Sequence, residues 1–425
     1  MSRSLHIVLI GTLDTKGHEI AYVRRVLERL GAEVCVLDSG ILGEPVGGCV
    51  AEVPREEVAL AGGHTLTALR NAGSRGVAVE GMAEGVREIC LRLLHDGRLE
   101  GVLCLGGAEG ALLGSSAMQA LPLGVPKVLV SPVFSGRRTF GSFVGESDIL
   151  LLHSVVDISG LNPLAEAVFN NAAAAVVGMV RDAGQPPAGS RKMVGVTMLG
   201  NSTPGVTRLR EVLERSGQQC VVFHANGVGG PAMEKLAESG ALNGVVDYTL
   251  CELSNRALGG LLAAGPDRLR VVGRLGLPQV VVPGCVDFFN LRPPLPARFH
   301  GRQQYLHNPI SILVRLSPDE MAGLGRNIAE RLNGATGPLC VVAPTAGFSI
   351  NAVAGGALWD AAGDTAFIEA LEDSLRSDIP LERVDADVND PTFAEYVARR
   401  FLEMCEETGD GADPSDVPPE ALPVS

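Results

Sequence analysis

Residues 6–38 place the tightest constraint on what this 425-residue chain can fold into. Four apolar residues, Ile7 to Ile10, run into a loop bounded by Gly11 and Gly17. Ile20, Val23, Val26, Leu27 and Leu30 then recur at helical spacing until Gly31 stops the pattern. Val34 to Leu37 is a second apolar run, and it closes on Asp38. A strand, a glycine-flanked turn, a helix and another strand in so short a span read as the start of a doubly wound parallel sheet. In such a sheet the first turn lies at the carboxyl edge of the strands, where helix N-termini offer free N–H groups and partial positive charge to an anion. An acidic residue at the end of the second strand is placed to take ribose hydroxyls.

The turn itself, Gly-Thr-Leu-Asp-Thr-Lys-Gly-His-Glu, is not a P-loop, because Lys16 precedes Gly17 and no Ser or Thr follows. Nor is it the dinucleotide fingerprint, whose glycines are spaced differently. On a ligand-binding reading Lys16 pairs with a phosphate, Thr12 and Thr15 donate hydroxyls, and Asp14 holds a divalent cation, Mg²⁺, that offsets its repulsion from the phosphate. On a purely structural reading Asp14 or Thr15 is a helix N-cap worth about 1 kcal/mol and Lys16 is solvated. Both readings stand at this point.

A hydrophobic content of 46% with 20% charged residues fits a well-buried protein, and 425 residues exceed what one core usually serves, so two domains are expected. The 53 glycines suit an α/β architecture with many tight strand-to-helix turns. A net charge of −14 argues against nucleic acid or an anionic membrane surface as partner, so an anionic ligand must be met by local dipoles and a few cations. Nine cysteines lie scattered without a CxxC pair, and Cys35, Cys104 and Cys220 fall inside apolar strand patterns, as expected of reduced thiols in the cytosol. No leader-like apolar segment opens the chain and no span of membrane length is expected, so the reading is cytoplasmic.

Farther along, Val102 to Leu105 is a buried strand feeding a second glycine turn, Gly106-Gly107-Ala108-Glu109-Gly110. Another strand starts at Lys127 and delivers Ser131, Ser135 and Gly136 to the same edge. A strand over 149–156 ends in Asp157, Gly160 and Asn162 before a long helix from Pro163. The expected division is an N-terminal Rossmann-like nucleotide-binding domain over 1–183, a linker over 184–191, a C-terminal Rossmann-like domain over 192–408 and an acidic disordered tail over 409–425. The second half opens as the first did: the segment ending at Asp38, VLERLGAEVCVLD, and that ending at His224, VLERSGQQCVVFH, share length, helix stop and strand pattern. The architecture read from this is two parallel-sheet α/β domains in tandem, with a ligand cleft between them if their carboxyl edges face one another.

Taken together, GTLDTKGHE, the GG-x-x-G turn, SDILLLHSVVDISGLN, NNAAAAVVGMV, TPGVTRLREVLE, HANGVGGPAMEKL, VPGCVDFFN, HNP and DVNDPTFAEYVARRF resemble the Tm-one-like ATP-binding family, whose plant members are tobamovirus resistance proteins. The motifs run in the family's order from residue 6 to about residue 401. The resemblance implies two Rossmann-like subdomains, ATP bound by the N-terminal one, and a homodimer. Longer relatives carry a C-terminal TIM barrel, which leaves room for a separate TIM-barrel partner protein here. One departure stands out: where the family reads GGSGGT and a further Thr, this chain has Gly106 to Ala111 with Glu109 in place of a glycine. A carboxylate there repels phosphate unless a cation or proton intervenes, or else serves as metal ligand or base.

The candidate cofactor-binding set is therefore Gly11, Thr12, Asp14, Thr15, Lys16, Gly17, Asp38, Gly106, Gly107, Glu109, Gly110, Asp157, Gly160 and Asn162. In the second half, Asn201, Thr203, Asn226, Gly227, Gly229, Asp287 and His307 are candidates for a small anionic substrate. His224, at a strand end with a near-neutral free pKa, is the candidate general acid or base, and Glu252 is a second catalytic candidate; a histidine hydrogen-bonded to its glycine loop is the alternative. His224, Glu252, Asp287 and His307 as a metal set have no diagnostic spacing. Two functions follow: a nucleotide-binding protein, or an enzyme acting on a small anionic metabolite.

Overall fold

The computed structural model describes residues 5–134, 141–182 and 193–407. The chain divides into two units, Met1–Ala188 and Gly189–Ser425. The expected linker, the tail, Ser135 and Gly136 lie outside the described residues.

The first unit is a five-stranded parallel sheet of β1 (Leu5–Gly11), β2 (Ala32–Asp38), β3 (Gly101–Leu105), β4 (Lys127–Ser131) and β5 (Leu150–His153) in the order β2-β1-β3-β4-β5. Its helices are α1 (Leu13–Arg29), α2 (Arg55–Ala61), α3 (Leu66–Arg70), α4 (Arg75–His95), α5 (Ala108–Ala120), α6 (Gly141–Val144) and α7 (Pro163–Asp182). Side chains alternate across a strand, so a strand covered on both faces must be apolar throughout. Accordingly Ile7 and Leu9 pack with Ile20, Val23, Phe169 and Val176 of α1 and α7, while Val8 and Ile10 pack with Met82, Val86 and Ile89 of α4 and with Ala111 and Ala117 of α5. The chain thus leaves β1 toward one face and β3 toward the other, and the crevice for a ligand opens between those strands. Register brings their ends level, with Ile10 opposite Cys104 and Gly11 opposite Asp38.

Among the described residues one helix, α7, is long and apolar enough by composition to cross a bilayer. Its buried face, Ala165, Phe169, Ala172, Ala173, Val176, Val177 and Val180, packs on the sheet.

The second unit repeats the plan. β6 (Met193–Met198), β7 (Gln219–His224), β8 (Gly244–Thr249), β9 (Gln279–Gly284), β13 (Leu339–Pro344) and β14 (Leu381–Val384) form a parallel sheet ordered β7-β6-β8-β9-β13-β14, the first unit's order with one strand more. The covering helices are α8 (Thr203–Arg215), α9 (Gly229–Glu238), α10 (Cys251–Leu258), α11 (Val271–Leu275), α12 (Pro318–Leu332), α13 (Ala361–Ser374) and α14 (Pro391–Glu407). Between β9 and α12 the chain inserts an antiparallel sheet of β10 (Phe288–Leu291), β11 (Gln304–Asn308) and β12 (Ser311–Arg315), ordered β10-β12-β11, which the sequence did not announce.

Candidate functional site

In the first unit a cavity of about 830 Å³ opens at the β1/β3 crossover. Three helix starts border it. The opening turn of α1 contributes Thr12, Asp14, Thr15 and Lys16; the entry to α4 contributes residues 71–75; and α5 contributes Gly107, Ala108, Glu109 and Gly110. Thr12 Oγ1 and Thr15 Oγ1 lie 2.7 Å apart. Lys16 departs from helical geometry (φ −126°, ψ 16°), and its Nζ donates to the carbonyl of Ile158. That bond uses one of the ammonium's three donors. Ser74 caps α4 through Val77 N, 3.3 Å away, whereas Gly107 at the head of α5 has no side chain to cap with. A Cβ on Gly107 would meet nothing within 4 Å, so the helix start is open; one on Gly106 would fall 2.6 Å from the backbone of Gly110, so the turn closes only with glycine there.

Ser39, just beyond β2, also lines the cavity; it is 1% exposed, yet its Oγ has no hydrogen-bond partner. A buried polar group without a partner is uncommon and marks a place where a ligand or solvent completes the bonding. The remaining wall is apolar, with Ile41, Leu42, Leu69, Ala78, Val79 and Leu113. Arg75, 74% exposed at the side chain, forms an ion pair with Glu109 across the mouth, joining the starts of α4 and α5.

Several residues expected at the ligand hold the loops instead. Asp38 does not reach out for ribose: its Oδ1 accepts from Leu13 N and Gly40 N, both at 2.9 Å, and burial pushes its carboxyl above the usual range in spite of those donors. Asp14 Oδ2 accepts from Leu42 N at 3.0 Å and Gly43 N at 3.2 Å, which clasps the loop after β2. Among the described residues no group of three or more His, Cys, Asp or Glu is placed to hold a metal ion. Gly11 and Gly17 are there for close approach: a Cβ would lie 2.3 Å from Ile20 Cδ1 and 2.0 Å from Val46 O, respectively. Gly160 N donates to Glu19 Oε1, and Asn162 Oδ1 caps α7 by accepting from Leu164 N and Ala165 N, at 3.1 and 3.0 Å. Asp157 and these two are not among the cavity's lining residues.

In the second unit the structure gives Glu252 a structural partner set of its own. Glu252 is fully buried; its Oε1 accepts from Gly227 N at 2.9 Å and Gly230 N at 3.2 Å, and its Oε2 accepts from Arg268 Nε at 2.7 Å. Arg268, itself buried, also donates to Asp247 and Glu234. The glycine loop after β7 does cradle an anion, but that anion is the chain's own carboxylate. Burial raises Glu234 to about 7, against the pull of Arg268. His224 is exposed at the end of edge strand β7, and a Cβ on Gly229 would fall 2.0 Å from its carbonyl oxygen, which explains that glycine. Asn226 Oδ1 accepts from Val228 N at 3.3 Å within the loop, and Thr203 Oγ1 donates back to Leu199 O at 3.2 Å.

Asp287 and His307 are not brought together. Asp287 is buried just before β10, where Ser349 Oγ donates to its Oδ2 at 2.9 Å and Arg315 lies 3.8 Å away. Burial lifts its carboxyl to about 6. His307 is exposed on β11 at the bulge between Leu306 and Asn308; Leu306 faces Ile312, whereas Arg315 faces Phe288. Three residues of β12 separate the two positions, about 10 Å along the strand. Asn201 is buried with an unpartnered Nδ2, and its carbonyl accepts from Asn389 Nδ2 at 3.0 Å.

Two family models divide the chain where the structure does: the N-terminal domain of "Uncharacterised protein family (UPF0261)" matches residues 5–185, and the C-terminal domain of that family matches residues 191–405. The chain belongs to the UPF0261 family. A UPF0261 protein of Clostridium tetani is 37% identical over 403 residues, which cover 94% of this chain and 99% of that protein. One of Rhizobium meliloti is 38% identical over 94% of this chain and 98% of its own length. The ToMV resistance protein Tm-1(GCR237) of Solanum lycopersicum is 33% identical over 95% of this chain, but the match spans only 56% of that protein. This UPF0261 chain is thus a distant homologue of Tm-1 and corresponds to about half of its length.

Sequence reasoning missed Ser39 and Arg75. Ser39 follows Asp38 directly, and a hydroxyl next to a strand-ending acid was the available signal; Arg75 lies at the end of a glycine-rich stretch, three residues ahead of the apolar helical pattern that begins at Ala78, so the helix was legible but its first residue was not.

Proposed function

We propose that this UPF0261 protein binds a nucleotide in the cavity of its first unit, with phosphate at the α1 start and the base against Ile41, Leu69, Val79 and Leu113. The observation that carries the reading is the unpartnered, buried Ser39 Oγ in a cavity bordered by three helix starts and Lys16. Helix N-termini favour phosphate through free amides and the macrodipole. The cavity's volume is within the range that takes ligands of nucleotide size. The resemblance to the Tm-one-like family points to ATP. Lys16 adds a cation there, and Thr12 and Thr15 add hydroxyls.

Isothermal titration of the full chain with ATP and Mg²⁺, and separately with AMP, tests this. Binding of either nucleotide, weakened about tenfold by Lys16→Ala for the loss of one charge-assisted hydrogen bond, supports the reading. The absence of heat with both nucleotides overturns it.

A further inference from the structure

The cavity's charge decides how much phosphate it accepts. Its lining carries three cations, Lys16, Arg70 and Arg75, and two carboxylates, Asp14 and Glu109. Asp14 is occupied by the backbone of Leu42 and Gly43, so its charge is partly spent within the protein. Arg70 Nε donates to Ile41 O at 2.6 Å, toward the loop after β2. Glu109 is different. It stands in the first turn of α5, next to the open Gly107, and its carboxylate is drawn toward the start of α4 by Arg75. An acidic side chain in the first turn of a helix is itself stabilised by the partial positive charge that would otherwise attract a ligand anion. The α4 and α5 starts therefore already face a negative group belonging to the chain. The α1 turn also carries an acid, Asp14, but its Oδ2 is bonded to the amides of Leu42 and Gly43; beside it Thr12, Thr15, Lys16 and the unpartnered Ser39 Oγ are the polar groups of the wall left to meet an anion.

Resting on the nucleotide reading, we infer that Glu109, held by Arg75 at the start of α5, is a specificity-determining residue that fits the cavity to a ligand with a single phosphate group and disfavours a polyphosphate. One phosphate seated at the α1 turn and Ser39 satisfies the groups that lack partners. A second or third phosphate extending toward α5 meets the carboxylate of Glu109 and must take Arg75 from it. Like charges juxtaposed in a partly desolvated site carry a penalty that neither Arg75, shared between them, nor Lys16, engaged at the α1 turn, removes. Replacing the carboxylate with an amide removes the repulsion and frees Arg75 for phosphate.

The test is titration of the full chain with AMP, ADP and ATP in EDTA, so that the phosphates keep their full charge, for the wild type and for Glu109→Gln. Glu109 is 42% exposed at its side chain, so the substitution sits where folding is tolerant. The wild type binds AMP more tightly than ATP. Glu109→Gln tightens ATP by about tenfold and AMP by less than about threefold, because the repulsion grows with the charge brought near it. The wild-type ranking needs no variant and stands as an independent reading. ATP bound by the wild type as tightly as AMP, or an unchanged AMP-to-ATP ratio in Glu109→Gln, overturns this inference and leaves nucleotide binding intact. No binding of any of the three overturns the nucleotide reading and this inference with it.

Discussion

Replacing Glu252 by alanine separates a structural carboxylate from a catalytic one. The side chain has three donors: Gly230 N, which is buried, Gly227 N, which is half-buried, and Arg268 Nε. Alanine leaves both loop N–H groups without an acceptor, at about 1–3 kcal/mol for a buried donor and less for a partly exposed one. Arg268 keeps Asp247 and Glu234, so its charge is not orphaned, and the full penalty of a broken buried pair does not apply. The total is on the order of 3–4 kcal/mol. For a unit of this size each kcal/mol lowers Tm by roughly 2–4 °C, so calorimetry should record a fall of about 6–16 °C. Glu252→Gln keeps one acceptor oxygen for the glycines but turns an amide N–H toward Arg268 Nε, and should lose about half as much. The exposed Glu238→Gln on the same helix layer should melt like the parent, surface changes being within about 0.5 kcal/mol. A Glu252→Ala protein that melts within about 2 °C of the parent would refute the role of the carboxylate as the loop's internal anion.

Glu234 and Asp287 set the direction of pH dependence. Burial holds both carboxyls above their ordinary values, at about 7 and about 6, so their contribution to stability is full below the ordinary carboxylate range and is lost as pH rises through those values. Tm should therefore fall between pH 5 and pH 8, and Glu234→Gln should flatten the fall; an equal slope in the variant would remove Glu234 as the cause. Thiol titration of the native chain should find no more than two fast cysteines, Cys35 and Cys49, since six others are buried and burial pushes the thiol of half-buried Cys220, like those of Cys104 and Cys340, up to about 12. Rapid reaction of all nine without unfolding would contradict the packing.

Much of the fold was legible because each unit's strands are covered on both faces. The apolar runs at 7–10, 102–105 and 279–282 could not be placed elsewhere, and the matched segments ending at Asp38 and His224 do sit at equivalent positions, the second strand of each sheet. Ser317-Pro318 carries a complete capping box, with Ser317 and Glu320 each accepting from the other's backbone N–H. The antiparallel insertion was not legible: its outer strand β11 is exposed along Gln304 to His307, so no alternation with a core marks it. The site was legible only in part. Glycine spacing identified loops that bend around an anion, but sequence does not say whether the anion arrives from solution, as the cavity at Ser39 invites, or is supplied by a residue 25 positions away, as Glu252 is to Gly227. Strand-end acids posed the same difficulty: Asp38 and Asp14 were read as facing a ligand, and their partners proved to be N–H groups of the loops they brace.

The two halves of this chain therefore answer differently to what surrounds them. With Glu252 locked into its loop, the second half carries its counter-anion wherever it goes and gains nothing from solutes at that place. At the first unit's crossover the hollow is open, and a small molecule that fills it adds RT ln(1 + [L]/Kd) to the stability of the folded chain. Scarcity or plenty of such a molecule would then be written in the temperature at which the protein melts.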